Sequence, residues 1–221
     1  YDKVLAQAVM VCVICPTATS AAVITAKLGG RAASVSTYTF LANTVTAIVV
    51  PLFFPVIEPH ADVSFFQSVF IRLRRVFCLL ICPFILAWLI HRFTPKIHEK
   101  MVGLHELAFY LWAVALTIVT SQILSSLLNY SADWTIAGLT ALFTFIICCL
   151  QFFIGKTLGS IYNDRISGGQ ALGQKNTVLA IWMAHTYLNP LAAIGPGFYV
   201  LWQNVVNSWQ LWRKRKKEEL K

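Results

Sequence analysis

The chain has 221 residues, of which 57% are hydrophobic and only 12% are charged, and its formal net charge is +9. Soluble domains carry about 25% charged residues, and a globular core of this size does not absorb so large an apolar fraction. The composition therefore excludes an ordinary soluble domain. Five of the 18 Lys and Arg residues lie in one run near the C-terminus, which indicates contact with a membrane surface and no nucleic-acid partner.

Seven apolar stretches follow one another along the chain. Most have about 20 residues, which is the length of helix that crosses a hydrocarbon core of about 30 Å. Backbone polar groups in lipid must be satisfied within each segment, so we predict an all-α, polytopic membrane protein. The predicted spans are residues 4–26, 32–57, 76–91, 106–128, 134–155, 171–188 and 190–212.

The first span begins within three residues of Tyr1, without an initiator Met or a signal peptide of the usual form. We therefore expect further helices to precede it. This span is interrupted in the stretch VCVICPTATSAAV, where Pro16 removes a helical hydrogen bond. Thr17, Thr19 and Ser20 follow it closely.

Two structures fit this interruption. In one, Pro16 starts a second half-helix, its hydroxyl neighbours cap the free N–H groups, and the positive helix end binds a carboxylate or sulfonate. In the other, Pro16 only kinks the helix, and the small hydroxyl residues pack against a neighbouring helix. The residues favour neither.

Three further features precede the second interruption. Asn43 is an amide within the second span and needs a hydrogen-bonding partner, either on another helix or along a solute pathway. The stretch FFQSVFIRLRR (65–75) is predicted to lie as an amphipathic helix in the outer interface, with an anion-attracting entrance as the alternative. The cysteines and histidines form no metal-binding pattern, so we predict no metal site.

The second interruption is the stretch SGGQALGQKNTVLA (167–180). Its glycines, Gly173 among them, are predicted to weaken the helix ahead of a polar cluster. The cluster comprises Gln174, Lys175, Asn176 and Thr177. Two interrupted apolar segments far apart in the sequence are typical of the midplane site of a secondary transporter. The run RKRKK (213–217) after the last span then predicts a cytoplasmic C-terminus in a cell (inner) membrane.

The two interrupted segments resemble motifs of the bile acid:sodium symporter family. CPTATSAAV is similar to the family's Cys-Pro-Gly-Gly-Thr-Ala-Ser-Asn-Val, and ALGQKNTVLA is similar to Glu-Val-Gly-Met-Gln-Asn-Ser-Gly-Leu-Ala. GPGFYVLWQNVVNSW resembles a further family helix. The resemblance is to a bacterial sodium-dependent transporter-like member. It implies two inverted repeats of five helices, with broken fourth and ninth helices that cross, and a C-terminal fragment covering about seven of the ten.

The resemblance also shows where sodium ligands would lie. Ala21 and Ala22 replace the family's Ser-Asn, Ala171 replaces its Glu, and Lys175 replaces its Gln. Thr39 aligns with a ligand Thr, and either Val35 or Ser34 aligns with a ligand Ser. Alanine offers no oxygen to a hard cation, so sodium coupling is not expected to carry over intact.

Lys175 has two interpretations. In the first, its ammonium lies near the position of a family sodium ion, where it holds the half-helices together, pairs with an anionic substrate or exchanges a proton. In the second, its stem extends to the inner interface, because Lys175 lies only about four residues, or about 6 Å, into the span.

These features predict a secondary active transporter of a small organic anion, bile-acid-like or another carboxylate or sulfonate, working by alternating access. Neither enzymatic activity nor a bound cofactor is predicted, because the spans contain no nucleophile–base pair. The alternative is a non-transporting membrane receptor or sensor that keeps the transporter fold. The lost sodium ligands favour this alternative.

Overall fold

The computed structural model describes residues 2–58, 65–104 and 134–220, together with separate helical positions between residues 107 and 125. The predicted span 106–128 therefore lies largely outside the described residues. The described part of the chain is 89% helical and contains no strand, which confirms the all-α prediction.

The helices are numbered in chain order. They are α1 (Asp2–Ile14), α2 (Ala21–Leu28), α3 (Ala32–Ile57), α4 (Phe65–Phe93), α5 (Pro95–Gly103), α6 (Trp134–Ile161), α7 (Arg165–Gly173), α8 (Thr177–Tyr187) and α9 (Ile194–Glu219). A short 3₁₀ turn, Pro190–Ala193, precedes α9.

Three described helical segments are long and apolar enough to cross a membrane. They are Ala32–Ile57, Val69–Phe93 and Trp134–Ile161. Lys3–Ile14 is apolar but shorter. The interrupted spans give half-helices below the spanning length, because the chain leaves helical geometry within them. Large apolar side chains such as Leu41, Val45 and Phe153 are exposed on the outer surface, as expected of helices that face lipid.

Residues 65–75, predicted to lie as an amphipathic helix in the outer interface, form the first turns of a longer helix. That segment continues without a break into α4, because neither Gly nor Pro occurs between residues 65 and 82. Arg72, one of the charged residues that make this stretch amphipathic, is only 3% exposed. Its guanidinium lies 5.4 Å from the centre of the Tyr187 ring, a distance at which a cation is attracted to the face of an aromatic ring.

The main core forms where α1, α3, α8 and α9 meet. Val11, Val50 and Met183 are completely buried there, and Val200 packs beside them. This core surrounds the point at which the two interrupted segments meet.

Glycines bring α7 against α6. A Cβ added to Gly168 would lie 2.4 Å from the carbonyl oxygen of Gly155 and 2.7 Å from the Cα of Gly159. Gly168 and Gly169, predicted to weaken the helix, instead lie within α7, which continues to Gly173. Their lack of a side chain serves close helix packing.

The loops at the ends of α2 and α6 are joined by an ion pair. Arg31 donates Nε to Asp164 Oδ2 at 2.8 Å, and the Arg31 backbone N–H donates to Ser167 Oγ at 2.8 Å. Burial acts to raise the pKa of Asp164, but its hydrogen bonds with Ser167 and Arg31 and the charge of Arg31 outweigh that effect. The pKa of Asp164 is therefore lowered. The pair fixes the start of α7 relative to α2 and α3.

Candidate functional site

The break after α1 leaves carbonyl oxygens without their helical donors. Pro16 has no N–H to offer the Cys12 oxygen four residues earlier. Gln151 of α6 donates Nε2 to that oxygen at 3.4 Å. A side chain from another helix thus supplies the hydrogen bond that Pro16 cannot make.

The next two carbonyl oxygens of α1 also receive donors from outside the helix. Lys175 donates Nζ to Val13 O at 3.0 Å. Thr46 of α3 donates Oγ1 to Ile14 O at 3.4 Å. Three separate elements therefore complete the C-terminal end of α1, as the cost of an unpaired buried carbonyl requires.

The carbonyl oxygens left free by the break after α7 also receive donors from other elements. Thr17 donates Oγ1 to Ala171 O at 2.6 Å, and Tyr199 of α9 donates its hydroxyl to Gly173 O at 2.9 Å. Thr17 is 2% exposed and Tyr199 is completely buried. The carbonyl end of α7 is therefore completed by the first interrupted segment and by α9.

The two interrupted segments pair directly with each other, and we call this pairing the crossing (residues 15–18 and 174–176). Thr17 and Lys175 form an isolated antiparallel bridge. The Ala18 N–H donates to Gln174 O at 3.1 Å, and the Asn176 N–H donates to Pro16 O at 2.8 Å. The structure thus brings residues more than 150 positions apart into backbone contact.

The side chain of each bridge residue donates to a carbonyl oxygen of the other segment. Lys175 donates to Val13 O, which lies four residues before Thr17. Thr17 donates to Ala171 O, which lies four residues before Lys175. The side chain of each bridge residue therefore supplies the donor that a carbonyl of the other segment lost at its break. The two hydrogen bonds are equivalent when the segments are interchanged, so they have a local two-fold relation.

The side-chain amide of Gln203 in α9 forms hydrogen bonds with both backbone groups of Lys175. The Lys175 N–H donates to Gln203 Oε1 at 2.9 Å, and Gln203 Nε2 donates to Lys175 O at 3.3 Å. Gln203 is 7% exposed. Sequence reasoning missed the place of Gln203 at the crossing, and it also missed those of Gln151, Tyr199 and Thr46.

Lys175 does not extend to an interface. The residue is only 6% exposed, and its ammonium points to the end of α1. The interpretation in which the stem reaches the inner interface therefore disagrees with the structure. No carboxylate of the described residues forms an ion pair with Lys175.

The other members of the second polar cluster complete the crossing. Gln174 is buried and donates Nε2 to Gln170 Oε1. Asn176 caps α8 by accepting from the Leu179 N–H at 3.2 Å, and Thr177 is buried in the first turn of that helix.

The hydroxyls of the first segment differ from the capping arrangement considered from the sequence. Helix α2 begins at Ala21, and Ser20 at its N-cap makes no side-chain cap hydrogen bond. Pro16 lies outside the first turn of α2, because the crossing occupies the residues in between. Thr19 is exposed and Ser20 is half-buried, so the side chain of Thr19 is accessible and that of Ser20 partly so.

Thr39 and Asn43 are both buried on α3. Thr39 donates Oγ1 to Val35 O at 2.8 Å, and Asn43 donates Nδ2 to Thr39 O at 2.8 Å. Both side chains thus bond their own helix, and it is Thr46, one turn beyond Asn43, that reaches the crossing.

Four of the positions that the resemblance places at sodium ligands form an apolar cluster. Ala21, Val35 and Ala171 are buried together, with Ala22 packed against them. Ser34, the alternative to Val35 in the alignment, is exposed. Among the described residues there is also no group of three or more His, Cys, Asp or Glu side chains placed to hold a metal ion.

No family model matches the chain, and no curated protein is similar to it in sequence.

Proposed function

We propose that the chain is a secondary active transporter of a small organic anion, working by alternating access in a cell membrane with its basic tail on the cytoplasmic side. The resemblance of its two interrupted segments to bile acid:sodium symporter motifs supports a carboxylate or sulfonate solute. Three helices of membrane-spanning length support the location.

The observation that carries this proposal is the crossing. Non-helical backbone at membrane depth is tolerated where it is buried in protein or lines a cavity. Two interrupted helices that meet and satisfy each other reciprocally are typical of the substrate site between inverted repeats of secondary transporters. The local two-fold relation of Thr17 and Lys175 supports that architecture.

The charge at the crossing supports an anionic solute. Both α2 and α8 begin beside it, and helix N-termini carry partial positive charge and open N–H groups. The Lys175 side chain lies at the same place, where its Nζ donates to Val13 O. Thr19 and Ser20, which are not fully buried, provide hydroxyl donors at the start of α2.

Coupling to sodium at the family position is not part of the proposal. The apolar cluster of Ala21, Val35 and Ala171 supplies no side-chain oxygen where a hard cation would need one. The same observation favours a second candidate function, a receptor or sensor that binds its solute at the crossing without translocating it.

Counterflow in proteoliposomes separates the two functions, because counterflow requires alternating access but no coupling ion. Vesicles are loaded with unlabelled taurocholate, or with a shorter carboxylate or sulfonate, and then diluted into labelled solute. A transporter accumulates the label transiently, whereas a receptor shows saturable binding without an overshoot. Saturable binding with no overshoot for any solute that binds contradicts the transport proposal.

A matched pair of variants tests whether the crossing is responsible. Thr17→Val removes the hydroxyl that reaches Ala171 O, whereas Thr37→Val removes an exposed hydroxyl that bonds only its own helix. Counterflow is expected to fall with Thr17→Val and to persist with Thr37→Val. Equal rates in both variants would contradict a role for the crossing.

A further inference from the structure

Two positively charged side chains lie close together where α6 packs against α7. The Lys156 stem lies along α7, because a Cβ added to Gly169 would stand 2.6 Å from Lys156 Cγ and 3.2 Å from its Cε. Arg165 lies four residues before Gly169, on the same face of α7 and one turn nearer its start. The charges of Lys156 and Arg165 therefore act on each other.

A third positive charge comes from α9. Gln170 of α7 donates Nε2 to Gln210 Oε1 at 3.5 Å, so α9 meets α7 at the residue after Gly169. Arg213 lies three residues beyond Gln210, about one turn nearer the end of α9. Its charge also acts on Lys156. Three different helices thus bring one charge each to this place, which we call the basic junction (Lys156, Arg165 and Arg213).

The charges of the basic junction are not balanced by the described residues. The ion pairs of that part of the chain involve none of the three side chains. Gln210 adds a buried Nε2 that has no hydrogen-bond acceptor there. Like charges repel, and buried donors nearly always have an acceptor. The junction therefore has positive charge and a spare donor, and it lacks an anion.

The basic junction lies at the depth of lipid headgroups. Lys156 is five residues, or about 8 Å, from the end of the spanning helix α6, and the exposed Tyr162 follows that end. The Arg213 guanidinium lies 5.4 Å from the centre of the exposed Trp209 ring. Exposed Tyr and Trp rings are typical of the membrane–water interface.

Apolar side chains are exposed one turn deeper on two of the helices. Phe153 lies three residues before Lys156 on α6, and Trp209 lies four residues before Arg213 on α9. A phospholipid carries its phosphate at the interface and its acyl chains on the deeper side. Charge above exposed apolar surface matches a lipid, whereas a soluble anion needs only the charge.

We propose that the basic junction binds the phosphate of an anionic phospholipid in the leaflet on the side of the basic tail. The phosphate supplies the missing counter-charge, and the acyl chains pack along α6 and α9 beside Phe153 and Trp209. Basic pockets between membrane helices on the cytoplasmic side bind anionic headgroups in this way. The site differs from the surface contact of residues 213–217, because two of its three charges belong to α6 and α7.

The test measures thermal unfolding of the purified protein in a neutral detergent. The probe is phosphatidylglycerol, with phosphatidylcholine of the same acyl chains as the lipid without net charge. Glycerol 1-phosphate and inorganic phosphate are the soluble anions, at equal ionic strength. Phosphatidylglycerol is expected to raise the Tm by about 3–6 °C at about ten times its Kd. The other three compounds are expected to leave the Tm nearly unchanged.

Two of these comparisons can overturn the lipid assignment. An equal shift with phosphatidylcholine would mean that the headgroup charge is not recognised. An equal shift with a soluble phosphate would mean that the junction is a site for free phosphate.

Single substitutions locate the effect. Arg165→Gln and Arg213→Gln are each expected to lose most of the shift with phosphatidylglycerol. Arg215→Gln is the matched control, because it removes the same charge from an exposed position of α9 that points about 200° away from Arg213. An equal loss in all three variants would indicate diffuse attraction by the tail, and a full shift in Arg165→Gln would exclude α7 from the site. Either result would overturn the proposal.

Lys156→Met gives a second test in which the sign of the effect reverses. Methionine keeps an unbranched apolar side chain beside Gly169 and removes the charge. Without lipid, the variant is expected to unfold at the same temperature as the wild type or above it, because a repulsion is removed. With saturating phosphatidylglycerol, it is expected to unfold below the wild type. A lower Tm without lipid would show that the charge is already balanced and would overturn the proposal.

The lipid site does not rest on the proposed function. Thermal unfolding reports lipid binding without any transport, so counterflow can fail while the shift with phosphatidylglycerol remains. The shift can equally be absent from a protein that shows counterflow. Failure of one proposal is therefore distinguishable from failure of the other.

Discussion

Gln203→Leu tests how strongly α9 supports the crossing. The substitution puts an apolar side chain of similar size in place of Gln203 and so removes the amide. Two hydrogen bonds disappear, one from the Lys175 N–H to Oε1 at 2.9 Å and one from Nε2 to Lys175 O at 3.3 Å. The backbone N–H and the backbone carbonyl of Lys175 are affected differently.

The carbonyl of Lys175 keeps a donor, because the Thr177 N–H also bonds it at 2.9 Å. The Lys175 N–H loses its acceptor in a buried place. One orphaned buried donor costs about 1–3 kcal/mol. For a protein of this size, a loss of about 2 kcal/mol lowers the Tm by about 4–8 °C.

The measurement compares the thermal unfolding of Gln203→Leu and Asn204→Leu in the same detergent. Asn204 is the matched control, since it lies next to Gln203 and its Nδ2 donates to Val200 O within α9. Its replacement is expected to change the free energy of unfolding by less than about 0.5 kcal/mol. Equal Tm values for the two variants, or an unchanged Tm for Gln203→Leu, would refute the role of Gln203.

Three further predictions concern other contacts. Gly168→Ala places a Cβ 2.4 Å from a backbone oxygen of α6 and is expected to lower the free energy of unfolding by about 1–3 kcal/mol, whereas Gly138→Ala, with no atom within 4 Å, is expected to leave the Tm nearly unchanged. Tyr199→Phe removes the donor to Gly173 O and is expected to cost about 1–2 kcal/mol in urea unfolding; an unchanged midpoint would contradict this. Because the pKa of Asp164 is lowered in the folded protein, its stabilising contribution is complete above the ordinary value of 3.8 and is lost as the pH falls through the folded value. The Tm difference between the wild type and Asp164→Asn should therefore be constant near neutral pH and shrink below about pH 4; a constant difference throughout would contradict the assignment.

The helical class could be predicted because span length and apolar composition reflect the thickness and polarity of a bilayer. The burial of Arg72 was missed because the charges of residues 65–75 suggest an exposed face. The charge of Arg72 is accommodated instead by tertiary packing beside the Tyr187 ring, which the local pattern does not contain.

The crossing was only partly accessible from the sequence. Pro16 marks a break because proline has no N–H, and polar residues after Gly173 mark another. The groups that donate to the free carbonyls at each break could not be predicted, because they belong to elements far away in the chain. Gln151, Thr46 and Tyr199 look like ordinary residues of apolar helices until the fold places them beside a free carbonyl.

The reciprocal bonding of the crossing imposes an order on biogenesis. The Lys175 ammonium and Val13 O are 162 residues apart, so the first break leaves the ribosome long before its partner exists. Until the second break is inserted, the free carbonyls of α1 have to be hydrated or held by the insertion machinery. The hydrogen bonds at the end of α1 are therefore completed only after the late half of the chain has been synthesised.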